Sequence, residues 1–346
     1  MIQENVDLAG FTSFGVGGPA AKLITIDSPD DISSVLKQAG SGPIWALGYG
    51  TNVLISDTGL PGTVLLFRHK GLELQDGLVI AEAGLWWDDL VQTAIDKNLW
   101  GLELTSGVPG SVGAAVFINI TAYGQSQSDR LVWIEYVDIK TRQTIRLEAK
   151  DLTWDYKQSI FQAHDDWLII RAAYQLRSQP TSELTYQSAL DAAEELGLSP
   201  DSLINRRKII LLARQRAGSL FVPNQGYAKT VGSFFRNPLV DPEQAQYLMG
   251  FDETGKSRAQ IAVMNRVHGG NETRISAAHV LLAAGFSRGQ SWGDVRLHPM
   301  NVLKIENTGN ASAQDIYEVS QEIIKTVKSR LAIDLVPEAR ILGQFY

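Results

Sequence analysis

No cysteine occurs in the 346 residues. That absence excludes disulfides, thiolate nucleophiles, cysteine-ligated zinc and iron–sulfur clusters together. Histidine is scarce, at five, and no two stand in the H-E-x-x-H spacing. With no EF-hand loop either, no metal site is expected. No apolar run nears the roughly 18 residues of a membrane helix; the longest candidate is Val280-Leu-Leu-Ala-Ala-Gly-Phe286. The N-terminus, Met1-Ile-Gln-Glu-Asn-Val6, is acidic and lacks a signal-peptide apolar stretch, so the expected setting is the cytoplasm, with no membrane partner. Positive charge is in deficit: 31 Lys and Arg against 38 Asp and Glu leave a net −7, which argues against a nucleic-acid partner.

What is present is an ordinary globular balance, 44% hydrophobic and 20% charged, in a chain too long for one core, so two or three lobes are expected. Ser28-Pro-Asp-Asp31 fits a capping box ahead of Ile32, Val35 and Leu36, with Gly40 just past the end. Pro43–Leu47, Thr63–Phe67, Leu78–Ala81 and Leu168–Tyr174 read as strands. A helix is expected from about Tyr186, another from Ser199-Pro200 to near Gly218. A last one starts at the capping box Ser312-Ala-Gln-Asp315 and carries the stripe Ile316, Val319, Ile323, Val327 and Leu331. This alternation argues for an α/β or α+β fold.

Several clusters carry potential chemistry. Arg206, Arg207, Lys208, Arg214 and Arg216 fall within eleven residues, which reads either as a solvated helix face or as an anion site. Gly48-Tyr-Gly-Thr-Asn52 follows a strand, where bare backbone lets N–H groups approach a diphosphate; a plain tight turn explains it equally. Val53 stands where a Rossmann motif needs its third glycine. Gly107-Val-Pro-Gly-Ser-Val-Gly113, with Asn119 and Ala122-Tyr-Gly124 behind it, is a second glycine-rich turn suited to a phosphate or a flavin edge. Two such turns about sixty residues apart favour a bulky diphosphate cofactor. Gly285-Phe-Ser287-Arg-Gly289, with Asp294 and His298 following, matches a hydrolase elbow but lacks the helix an elbow runs into. Ser233, in a glycine turn, reads as a proton donor or a plain turn former, and Glu338, among apolar residues, as a carboxylate of raised pKa, a cation binder or a surface residue after a proline.

Taken in order, these motifs resemble the UDP-N-acetylenolpyruvoylglucosamine reductase (MurB) family. The resemblance is carried by Phe11–Gly18, Leu47–Asn52, Gly101-Leu-Glu103 with Gly107–Gly113, Asn119 with Ala122-Tyr-Gly124, Tyr156-Lys-Gln-Ser-Ile-Phe161, Gly232–Pro238 and Pro337-Glu-Ala-Arg340. It implies an α+β protein: a non-Rossmann FAD-binding fold of two subdomains, of the vanillyl-alcohol-oxidase type, plus a C-terminal α+β substrate-binding domain. The division expected is 1–70, 71–225 and 226–335, with 336–346 packing back near the flavin. FAD would be held by Gly48, Tyr49, Gly50, Thr51, Asn52, Gly107, Pro109, Gly110, Ser111, Gly113, Asn119, Ala122, Tyr123 and Gly124. NADPH would be the co-substrate, and the enolpyruvyl ether of UDP-N-acetylglucosamine would then take hydride at its methylene carbon.

By correspondence, Ser233 would protonate the neighbouring carbon, while Glu338 and Lys157 bind and polarise the substrate carboxylate. Fixed donors there favour the transition state, where charge develops. Tyr156, Tyr186, Arg214, Asn237 and Arg288 would bind the sugar nucleotide, Tyr186 covering the UDP as in the type I branch. A monomer is expected. Three positions depart from the family pattern. Lys157 replaces an arginine and loses its bidentate fork, Thr121 stands where a glycine is usual, and Phe11 replaces an asparagine. The alternatives are a flavoprotein with another substrate and a non-catalytic sugar-nucleotide-binding homologue.

Overall fold

The computed structural model describes residues 1–221, 229–251 and 273–346. The first sheet runs in the order Ile2–Asp7, Pro19–Ile26, Leu60–Phe67, Ile44–Leu47, with parallel pairing among the last three. Its central strand Leu60–Phe67 is apolar on both faces because both are covered. Val64 and Leu66 join Leu23 and Leu47 in one core, while Leu65 and Phe67 join Ile24 and Ile26 in another. The helix Ile32–Ala39 buries Ile32, Val35, Leu36 and Ala39 on that second side. It starts later than the capping pattern suggests: the Ser28 hydroxyl accepts from the Asp30 amide, and Pro29–Asp31 forms a 3₁₀ turn first.

A second, antiparallel sheet follows in the order Thr144–Glu148, Leu131–Asp138, Trp167–Gln175, Leu78–Glu82, Leu72–Gln75. The helices Trp87–Asp96 and Val112–Phe117 supply Trp87, Leu90, Val91, Val112 and Val116 to its core. The third sheet, Ser291–Trp292, Val295–His298 and Asn301–Asn307, shares a core with the helices Ala277–Ala283 and Ala313–Leu331. The latter helix has the expected capping box, and Ile316, Val319, Ile323 and Val327 are buried. Phe14, Val16 and Leu54 from the start of the chain are part of the same core. Asp57 also reaches this helix, accepting from the Ala313 and Gln314 amides at 2.9 Å each, where a carboxylate satisfies orphan donors and the helix dipole. Separate sheets with helices packed between them make the fold α+β. No helix among the described residues is long and apolar enough to cross a membrane.

Two further helices, Gln187–Leu196 and Leu203–Arg216, pack through Ala189, Ala192, Ala193, Ile209, Ile210 and Ala213. The second is capped by Ser202, whose hydroxyl accepts from the Asn205 amide at 3.2 Å; it does not begin at Pro200, whose carbonyl instead accepts from Arg206 Nε at 2.8 Å. Glu103, wholly buried, fastens this pair to the second sheet's core. It accepts from the Gly101 amide at 2.7 Å and from Arg206 Nη1 at 3.0 Å. Arg206 also donates to the Ser182 carbonyl at 2.7 Å and lies over the Trp100 ring. Removing one member of a buried pair strands the other charge without water. Arg206→Met is therefore expected to destabilise the protein by about 3–5 kcal/mol, read from the urea midpoint, whereas Lys208→Met on the same helix is expected to stay within about 0.5 kcal/mol.

Candidate active site

Two adjoining cavities, of about 650 and 470 Å³, meet at Thr51, Asn52, Ser111, Ala114 and Ile118. The larger is lined by the turn Gly48–Asn52, by Gly113 and Phe117, and by Lys140, His164, Asp165, Asp166, Trp167 and Arg340. The smaller gathers Pro109, Ala122, Tyr123, Tyr156, Lys157, Tyr186, Arg214, Ser233, Asn237 and Glu338. Residues spread over more than two hundred positions thus face one space.

The turn Gly48–Asn52 depends on bare backbone. Gly50 has φ +63°, and a Cβ there would overlap the Phe11 carbonyl; the Gly50 carbonyl meanwhile accepts from the Ser13 amide at 3.0 Å. Arg68 donates to the Gly48 carbonyl at 2.7 Å while lying over the Tyr49 ring, and the Tyr49 hydroxyl donates to the Gly84 carbonyl. Across the gap, a Cβ on Gly110 would point at Thr51 Oγ1, 3.4 Å away. Two glycine segments facing each other so closely fit a diphosphate-bearing cofactor that needs near approach to main-chain N–H groups.

The second glycine turn is held from behind. Asp88 accepts from the Gly107 amide at 2.6 Å and takes the Arg207 fork at 2.7 Å on each oxygen. Arg214 Nε donates to the Gly107 carbonyl at 3.1 Å. The members of the basic cluster therefore have different partners. Arg206 pairs with Glu103, Arg207 with Asp88 and Arg216 with Glu195, while Arg214 lines the cavity. Asn119 lines neither cavity; its amide donates to the Asp155 carbonyl at 2.9 Å, two residues before Lys157. Gly107, Gly110 and Gly124 shape the backbone without lining either space, and Arg288 sits on the exposed turn after Phe286, apart from both.

Lys157 Nζ pairs with Glu338 Oε1 at 2.9 Å, each side chain 14% exposed. Lys157 has φ +56°, and Tyr123 and Asn119 are left-handed too, at +50° and +47°. Backbone strain of this kind persists only where the surroundings over-determine it. Burial raises the Tyr123, Tyr156 and Tyr186 hydroxyls, Tyr186 to about 12, so all three stay neutral donors near pH 7. Thr121 shares a 2.8 Å hydrogen bond with Ser126 and lines the smaller cavity. The G-x-S-x-G segment forms no triad: Ser287 is exposed, and His298 Nδ1 accepts from the Met300 amide. No cluster of three or more His, Asp or Glu placed to hold a metal ion occurs among the described residues.

Sequence reasoning missed Arg68, Asp88 and the His164–Trp167 wall, where the imidazole stacks on the indole at 3.8 Å; none carries a local pattern. It also missed Lys304, whose signal was legible: a lysine between Val302-Leu303 and Ile305 in the strand Asn301–Asn307.

An FAD-binding domain model matches residues 20–147, and the model of the UDP-N-acetylenolpyruvoylglucosamine reductase C-terminal domain matches residues 223–342. The UDP-N-acetylenolpyruvoylglucosamine reductase of Salinispora arenicola is 31% identical, over 96% of this chain and 93% of that protein. That of Thermobifida fusca is 29% identical, over 98% of each. The crystal structure of the Thermus caldophilus enzyme superposes with a TM-score of 0.67 at 24% identity, covering 99% of this chain and 100% of that one, which shows a shared fold. The chain is an FAD-binding oxidoreductase with an added C-terminal lobe. It belongs to the UDP-N-acetylenolpyruvoylglucosamine reductase family.

Gly50→Ala is expected to lower flavin content at least about tenfold and the melting temperature by several degrees, since a left-handed alanine costs about 1–2 kcal/mol before the overlap with Phe11 is counted. Gly10→Ala, where a Cβ meets nothing within 4 Å, is the control. The ratio of flavin to protein absorbance and a thermal melt read both.

Proposed function

We propose that this protein reduces the enolpyruvyl ether of UDP-N-acetylglucosamine to UDP-N-acetylmuramate, at the expense of NADPH, in the cytoplasmic synthesis of peptidoglycan precursors and hence in cell-wall growth and division. The observation that carries the reading is the convergence of Ser233, Lys157, Glu338 and Arg214 on one cavity that adjoins the glycine-lined one. FAD, which the turn Gly48–Asn52 with Ser111 and Gly113 would hold, would supply the hydride chemistry that links NADPH to the enol ether. The remaining work falls to side chains.

Hydride addition at the methylene carbon leaves negative charge delocalised into the substrate carboxylate. Lys157, with three donors of which the pair with Glu338 uses one, binds that carboxylate and stabilises the charge as it grows. Glu338 keeps the ammonium aimed into the cavity. Ser233 delivers a proton to the carbon beside the carboxylate, completing addition of one hydride and one proton across the double bond. Arg214 answers the charge of the diphosphate, and Tyr186, edge-on to Tyr123 at 5.7 Å, covers the nucleotide. Asn237 and Tyr156 complete the sugar-facing wall, and the protein acts as a monomer.

Anaerobic stopped-flow absorbance tests the reading: NADPH is added to the FAD-loaded protein, then the enolpyruvyl sugar nucleotide. Bleaching of the flavin band followed by substrate-driven recovery is expected. Bleaching without recovery would assign the scaffold to another substrate, and no bleaching would remove the reductase reading. In the same experiment Ser233→Ala is expected to slow recovery by about 10²–10⁴ while bleaching proceeds; equal loss in both phases would remove Ser233 as proton donor. Lys157→Met is expected to slow recovery by about 10² or more, and Lys157→Arg to restore it to within a few-fold.

A further inference from the structure

Lys304 is wholly buried, an uncommon place for an amine unless it has partners. Its strand Asn301–Asn307 belongs to the C-terminal lobe, and Asn301 and Leu303 of that strand line the smaller cavity. The lysine reaches across to the other lobe. Its Nζ donates to the carbonyls of Ala217, at 3.1 Å, and of Gly218, the first residues past the end of the helix Leu203–Arg216. Those carbonyls lie at the negative end of the helix dipole, where a cation is favoured. The next residue in the turn, Ser219, accepts from Arg214 Nη2 at 2.6 Å, and its amide donates to the Arg214 carbonyl at 2.7 Å. One short turn thus lies between Lys304 and the arginine of the cavity. His298 packs on the same turn: a Cβ on Gly218 would come within 2.8 Å of its ring.

We propose that Lys304 is a positioning residue for the anion subsite. By gripping the carbonyls of Ala217 and Gly218 it fixes the turn that holds Arg214 against the cavity, so that a nucleoside diphosphate meets a preset cation. The inference rests on the sugar-nucleotide reading given above. The two cations are electrostatically linked: burial first, then the charge of Arg214, push Lys304 down to about 7, with Glu306 opposing. Charged or neutral, the amine keeps the two donors the carbonyls require. A preset arginine spares the nucleotide the cost of ordering it.

The test is UDP binding to the FAD-loaded protein by calorimetry. Lys304→Met is expected to raise the Kd for UDP about tenfold, Lys304→Arg to recover most of that loss, and Lys304→Met added to Arg214→Met to do no further harm. In turnover, the defect is expected in KM rather than kcat. A Kd within twofold of wild type, or additive effects of the two substitutions, would overturn the proposal. Flavin content and melting temperature verify that each variant folds, with Lys304→Gln taking the place of Met if the latter does not. A wild-type protein that binds no UDP would overturn the nucleotide reading instead. The grip is then decided by amide hydrogen exchange over residues 217–219, faster in Lys304→Met if it exists and unchanged if it does not.

Discussion

The site depends on one extended segment near the C-terminus. Arg340–Leu342 pairs in parallel with Val53–Ile55, and the Arg340 amide donates to the Asn52 carbonyl at 3.0 Å while the Asn52 amide group donates to the Glu338 carbonyl. On the other side, the Glu338 amide donates to the Phe234 carbonyl at 2.7 Å and the Arg236 amide to the Val336 carbonyl. The segment is hydrogen-bonded along both edges, to the glycine turn Gly48–Asn52 and to the stretch that holds Ser233. Closing a loop of nearly three hundred residues adds little more entropy than closing a much shorter one, whereas each buried main-chain group left unpaired would be costly. The seam holds Glu338 between the two and opposite Lys157.

A second bracket is the helix Leu203–Arg216. Its arginines point in different directions along the helix, and each meets a separate acceptor. Arg206 lies on buried Glu103, Arg207 on Asp88 behind the Gly107 turn, and Arg214 on the Gly107 and Ser219 carbonyls beside the cavity. Buried and bidentate contacts of this kind specify geometry better than exposed ion pairs do. The seam contributes Glu338 and the helix Arg214 to the smaller cavity, which Lys157 and Tyr123 line with left-handed backbone.

Local features are legible in the chain because their causes are local. The capping box Ser312–Asp315 and the stripe Ile316–Val327 rest on contacts within four residues, and both are present in the folded helix. Ser28 and Pro200 do not start α-helices, since a 3₁₀ turn at one and the Ser202 cap at the other compete within the same few residues. The α+β class and the family are carried by motif order. The basic cluster is not divisible by sequence, because Arg206 and Arg207 meet carboxylates more than a hundred positions away, whereas Arg216 meets Glu195 nearby.

By itself the sequence determined the absence of thiol chemistry, the two glycine-rich turns and the presence of Ser233, Lys157 and Glu338, for these follow from composition and short spacing. Tertiary structure alone decided that Glu338 meets Lys157, that Arg214 rather than its neighbours lines the cavity, and that Lys304 reaches the turn after the helix Leu203–Arg216. The physical reason is range: backbone propensity acts over a few residues, whereas burial and charge pairing act on whatever the folded chain brings within a few ångströms.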